Sequence, residues 1–230
     1  MTKFFILNLS VLKNISPSQY LPLLAVVCLV VVSKLLSFNG LYGQDAHEYL
    51  RQSKALFDRM QGLSAPAPGL GEAEFAGGYP LAAAVLRWLV PDAMLALQMV
   101  SWLSAGLALW FFNQNLRLLS PGARAESRAV FTVLALALAP YFVRAGLTSM
   151  SDALGLALAL GAFWLGLRVL YKGRTQDAAV AVILMAWAVT TRFGLAALLA
   201  PLAVAMLLML WRYRNLRGIV AIFVAGVLAL

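Results

Sequence analysis

Charge is what this 230-residue chain has least of: Asp, Glu, Lys and Arg together make up 12% of it, against about 25% in an average soluble domain. So few charged residues cannot coat a water-facing surface of this size, which excludes an ordinary soluble fold. A single cysteine, Cys28, excludes an intrachain disulfide and a cysteine metal cluster. The single histidine, His47, with acids beside it, makes no specific metal motif. Acids are scarcer than bases, nine against eighteen. In a soluble protein that excess would point to nucleic acid; in a membrane protein it points first to topology.

What fills the chain is apolar. Hydrophobic residues reach 63% and the mean hydropathy is +0.85, so the expected class is an all-α polytopic membrane protein. Apolar segments run over roughly 20–38, 93–112, 129–143, 153–171, 178–191, 193–211 and 218–230. A bilayer core of about 30 Å takes about 20 helical residues, and the expectation is about seven transmembrane helices. The segments ending at Arg144 and Arg192 run short, which puts those charges at or just inside the interface. The last segment stops at Leu230 without a polar flank, as expected of the N-terminal part of a longer protein. Phe4–Leu12 follows Lys3 without a small-residue cleavage site, so it reads as an interfacial helix or a lead-in, not a signal peptide.

Alternating the loops from a cytoplasmic N-terminus puts Lys3, Lys13, Arg117, Arg124, Arg128, Arg168, Lys172, Arg174, Arg212, Arg214 and Arg217 inside, with Glu126 and Asp177 as the inner acids. Outside fall seven bases, Lys34, Arg51, Lys54, Arg59, Arg87, Arg144 and Arg192. Seven acids join them there, Asp45, Glu48, Asp58, Glu72, Glu74, Asp92 and Asp152. The basic bias supports the N-in orientation and leaves the outer face neutral. The excess charge then orients the protein, and no nucleic-acid partner is expected.

The one long connection, 39–92, lies outside. Residues 45–60 carry Tyr49, Leu50, Leu56, Phe57 and Met60 at helical spacing, as suits a helix lying on the membrane surface. Residues 61–78 are rich in Gly, Pro and Ala and read as a mobile strap. Tyr79-Pro80 opens a second short helix that runs to Val90. The loop is thus expected to hold two juxtamembrane helices.

The outer polar residues are the chemical candidates. Asp45 can serve as a first-turn helix charge or as a carboxylate that takes a proton from a substrate hydroxyl. Asp45 and Glu48, three apart on one helix, could hold a divalent cation through oxygen ligands, with His47 pointing elsewhere. Ser151 and Asp152 can cap a helix, and Arg144 and Asp152 can brace a hairpin. Arg192 breaks the positive-inside trend. Ionisable residues at membrane depth face cavities or one another. Asp45, Arg144, Asp152 and Arg192 converge on the outer side, where two carboxylates and two guanidiniums suit an anionic, hydroxyl-bearing ligand.

Four short motifs in this order carry a resemblance over about 20–230. They are Asp45-Ala-His-Glu-Tyr49-Leu50, Gly77-Gly78-Tyr79-Pro80-Leu81, Thr148-Ser149-Met150-Ser151-Asp152-Ala153-Leu154 and Thr191-Arg192-Phe193-Gly194. In order and sidedness the chain is similar to bacterial GT-C glycosyltransferases of the protein-mannosyltransferase and aminoarabinose-transferase type. The resemblance implies an inverting transfer of sugar from a polyprenyl-phosphate donor to a lipid, glycan or protein hydroxyl. The chain would be one catalytic transmembrane module, 1–230, in a bacterial inner membrane with its active site on the external face. Family members are usually much longer, with further spans and often a soluble C-terminal domain, which leaves open whether this module is active alone. Asp45 matches the catalytic carboxylate and Asp152 a second acidic position. Arg192 and Arg144 would hold the departing phosphate, with His47, Glu48 and Tyr79 as further substrate contacts. The strap would close over the substrates. Where family members often carry a second acid close to the first Asp, this chain has His47 and then Glu48, which leaves a divalent cation open. A transporter fragment or a non-catalytic scaffold of the same architecture are the competing readings. The first is disfavoured because the charges that break the positive-inside trend cluster on one side.

Overall fold

A computed structural model describes residues 17–63, 77–122, 124–174 and 176–212. Nine helices are present among them. They are α1 (Pro17–Leu35), α2 (Gly43–Met60), α3 (Gly78–Leu86), α4 (Ala93–Leu119), α5 (Ala125–Ala137), α6 (Pro140–Leu147), α7 (Ser151–Lys172), α8 (Asp177–Thr191) and α9 (Leu195–Arg212). Four of these, α1, α4, α7 and α9, are long and apolar enough to cross a membrane, and the bent pair α5–α6 makes five if it counts as one span. Helix α8 is apolar but only 15 residues long. The expected lead-in at 4–12, most of the strap and the segment 218–230 lie outside the described residues.

Helices α4 and α7 form the centre. At 27 residues, α4 is about 40 Å long. One of its faces packs with α1 and α7 around Leu29, Trp102, Ala105, Ala108, Leu109, Val133, Phe142 and Ala157. A second cluster joins α4 and α7 to α8 and α9 through Leu97, Leu158, Ala162, Leu165, Ala181, Met185, Leu199 and Met206. The buried faces are rich in Ala and Gly, which lets backbones approach closely where water gives little drive for association. A Cβ on Gly166 would meet Leu202, and one on Gly106 would meet Val26. Helices α1 and α9 bury far less of themselves than α4 and α7, so their apolar outer sides face away from the protein.

Two expectations change in detail. Segment 129–143 is not one continuous helix: α5 ends at Ala137, α6 starts at Pro140, and their axes differ by 64°. Ala139 is extended (φ −63°, ψ 127°), the conformation that a following proline imposes, while Pro140 suits the first position of a new helix. The first helix of the long connection begins at Gly43, two residues before Asp45, and the second ends at Leu86 with turns beyond it.

Polar side chains brace the end of the bundle that holds the start of α1 and the end of α4. Arg117 donates to Glu126 at 2.5 Å and to Ser18 Oγ at 2.7 Å, and Glu126 accepts from the Ser18 backbone N–H at 2.9 Å. At the same end Arg168 pairs with Asp177 at 2.9 Å. The opposite end is left open around a cavity.

Candidate functional site

The cavity, about 750 Å³, lies between the start of α2, the α5–α6 break, the α6–α7 turn and the α8–α9 turn. Asp45, Arg144, Asp152 and Arg192 all line it, so the four charges read from separate segments meet at one site. Leu136, Ala139, Phe142, Leu156 and the exposed rings of Tyr141 and Phe193 form its apolar wall.

Local chemistry brings these segments together. Gly40 has φ +84°, and its carbonyl accepts the Ser149 N–H at 2.7 Å. A side chain at Gly40 would strike Ser149 and Gln98, so glycine is needed both for conformation and for closeness. One turn into α2, the Tyr49 hydroxyl donates to Ser151 Oγ at 3.2 Å. These two contacts hold the start of α2, with Asp45, against the start of α7, with Asp152.

The other side is set by the α8–α9 turn. Arg192 ends α8 in an extended conformation, and Gly155 of α7 leaves room for it: a Cβ there would come within 3.6 Å of Arg192 Cβ and 3.1 Å of Leu195. Gly78 sits so close to Thr191 that no side chain fits between them. Trp187 Nε1 donates to the Gly78 carbonyl at 3.2 Å, which ties α3 to the end of α8.

The four charges differ in their commitments. Arg192 and Asp152 form an ion pair across the cavity, with side chains 55% and 35% exposed. Arg144 lies over the Tyr42 ring, 5.2 Å from its centroid, and has no carboxylate partner among the described residues. Asp45, exposed in the first turn of α2, is likewise unpaired there. Neither carboxylate stands at the N-cap position, which Tyr42 and Met150 occupy; both lie in the first turn of their helices.

The other three expected contacts stand elsewhere. His47 is exposed and does not line the cavity. Glu48 also lies off it, because Arg51 binds both its oxygens, at 2.7 and 3.0 Å, and Gln52 adds a bond at 3.0 Å. The Arg51 guanidinium holds the Glu48 carboxyl below its ordinary range. Tyr79 is fully buried behind the cavity. Its hydroxyl bonds the Leu97 carbonyl and Ser101, both at 2.9 Å, and burial pushes its phenol upward, so it stays a proton donor. Its ring meets Tyr49 edge-on at 5.2 Å, so Tyr79 supports a lining residue from behind and does not itself line the cavity. Tyr42, Tyr49 and Ser151 are the additions; only the adjacency of Tyr49 and Ser151 to the motif acids could have marked them.

A divalent cation fits the donors poorly. Glu48 is taken by Arg51, and no group of three or more His, Cys, Asp or Glu comes together among the described residues. What the cavity offers is a free carboxylate, a free guanidinium, an exposed ion pair and an apolar wall. That combination suits an amphiphilic anion, with a carboxylate nearby that can accept a proton. No protein-family model matches the chain, and neither curated proteins nor solved structures gave a match.

Proposed function

We propose that the chain is the membrane-embedded catalytic module of an inverting glycosyltransferase that moves a sugar from a polyprenyl-phosphate donor to an acceptor hydroxyl. The observation that carries this reading is the composition of the cavity: Asp45 unpaired, two guanidiniums beside it, and an apolar wall running from Leu136 to Phe193. Asp45 takes the proton from the acceptor hydroxyl as its oxygen attacks the anomeric carbon. The bond from that carbon to the phosphate oxygen breaks, and the electron pair leaves with the lipid phosphate. Arg144 and Arg192 meet the growing negative charge, and the apolar wall takes the first prenyl units. Electrostatic stabilisation of this kind is worth about 10²–10³ in rate for each well-placed donor. No step requires a metal.

The topology proposed with it has seven spans, a cytoplasmic N-terminus and a bacterial inner membrane. Helices α2 and α3 lie along its outer surface and the cavity opens on the non-cytoplasmic side. The charge bias of the loops supports this arrangement. The acceptor is a lipid, glycan or protein hydroxyl.

The test is sugar transfer by the full-length protein, purified into lipid nanodiscs, with radiolabelled polyprenyl-phosphate sugars as donors. Asp45→Asn is expected to lower turnover by about 10²–10⁴ with donor affinity retained. Wild-type turnover in that variant would remove Asp45 from the role of base, and the absence of transfer from any such donor by the wild type would overturn the reading.

A further inference from the structure

The ion pair in the cavity has a consequence for how an anion enters. Arg192 comes from the α8–α9 turn and Asp152 from the first turn of α7, so the pair bridges two separate walls. Both side chains remain partly exposed, 55% and 35%, and exposed ion pairs are weak enough to be exchanged for a better partner. Arg144, by contrast, has only the face of Tyr42 among the described residues. A phosphate arriving at Arg144 therefore finds one guanidinium open and the second already holding a carboxylate.

We propose that Asp152 is a built-in stand-in for the ligand's phosphate, occupying Arg192 until a lipid phosphate displaces it. This rests on the reading of the cavity as the seat of a phosphate-bearing lipid, and it gives Asp152 a positioning role in place of a share in proton transfer. The pair keeps the Arg192 guanidinium from sitting unpaired in the cavity before a ligand binds, at the cost of weaker binding of the true ligand. Displacement leaves Asp152 free and negative beside the newly bound phosphate, so the carboxylate opposes binding twice: by competing for Arg192 and by repelling the anion. Removing its charge must then tighten phosphate binding, the reverse of what loss of a ligand contact does.

The test is equilibrium binding of farnesyl phosphate to the purified protein in nanodiscs, with farnesol as the uncharged control. Asp152→Asn is expected to bind farnesyl phosphate about two- to fivefold more tightly than wild type. Asp152→Ser, which keeps a residue favoured at a helix start, should show the same gain. Arg192→Ala should weaken binding and abolish the gain in the double variant. Farnesol should bind all of them alike. Unchanged or weaker binding in both Asp152 variants would overturn the proposal while leaving the phosphate site standing, provided that Arg192→Ala still weakens binding. A gain that survives without Arg192 would overturn it as well. If farnesyl phosphate bound no better than farnesol in every variant, the phosphate reading itself would fall and take the proposal with it.

Discussion

The Tyr49 hydroxyl donates to Ser151 Oγ across 3.2 Å, joining the helix that carries Asp45 to the helix that carries Asp152. The bond is buried, and buried hydrogen bonds contribute about 1 kcal/mol each. Tyr49→Phe is expected to lower the melting stability by about that amount. Turnover should fall more than donor affinity, because the carboxylate of α2 loses its register against α7. Ser151→Ala should reproduce the effect, and the double variant should be no worse than either single one, as residues that share one interaction require.

Gly78 offers a sharper test of how the Arg192 turn is held. A Cβ there overlaps Thr191, with the backbone nitrogen of Thr191 only 2.9 Å away. Gly78→Val is therefore expected to cost about 1–3 kcal/mol and to reduce sugar transfer by shifting the turn. Gly77→Ala meets nothing within 4 Å and should leave both melting temperature and transfer unchanged. Equal effects at the two neighbours would show that the close approach of α3 to α8 is not what matters.

Glu48 should behave as a stabilising residue and not as a ligand contact. Its carboxyl is held below the ordinary value of 4.5 by Arg51. The stability it contributes is thus complete above that value and is lost as pH falls through the lowered one. The pair is half exposed on the arginine side, which limits its worth to about 0.5 kcal/mol or less. Thermal melts should place Glu48→Gln slightly below wild type at pH 7, with the gap closing as pH falls below the ordinary carboxylate range. Transfer should stay within about twofold of wild type, the change in rate that a loss of this size could produce.

Sidedness can be read chemically. Asn39, beside the Gly40–Ser149 contact, and Gln176, at the start of α8, are both exposed and lie at opposite ends of the bundle. In a Cys28→Ala background, a membrane-impermeant maleimide should label Asn39→Cys in intact spheroplasts. Gln176→Cys should react only after permeabilisation. The opposite pattern would reverse the proposed orientation.

The convergence of Asp45, Arg144, Asp152 and Arg192 was legible in the sequence because charges are so rare in it that each must lie near a helix end. Alternation of spans then puts those ends on one side. Which of the four are paired was not legible, since the Arg192–Asp152 contact depends on Gly155 letting α7 approach the α8–α9 turn. The burial of Tyr79 was not legible either: a Tyr-Pro start fits an exposed helix and a buried one equally well. Only the packing of α3 against α2, α4 and α8 buries it. Segment 129–143 looked continuous because its apolar pattern runs straight through the break. Pro140 was the local signal that it does not.

The break between α5 and α6 sets one whole wall of the cavity with apolar and aromatic side chains. A substrate with a long hydrocarbon tail can then reach the charges sideways, without lifting that tail into water at about 0.8 kcal/mol per methylene. Encounter becomes a search within a plane. The quantity that governs saturation is the surface density of substrate among lipids, not its concentration in the suspension. Diluting vesicles with buffer should leave the rate per protein unchanged, whereas diluting the substrate with inert phospholipid should slow it.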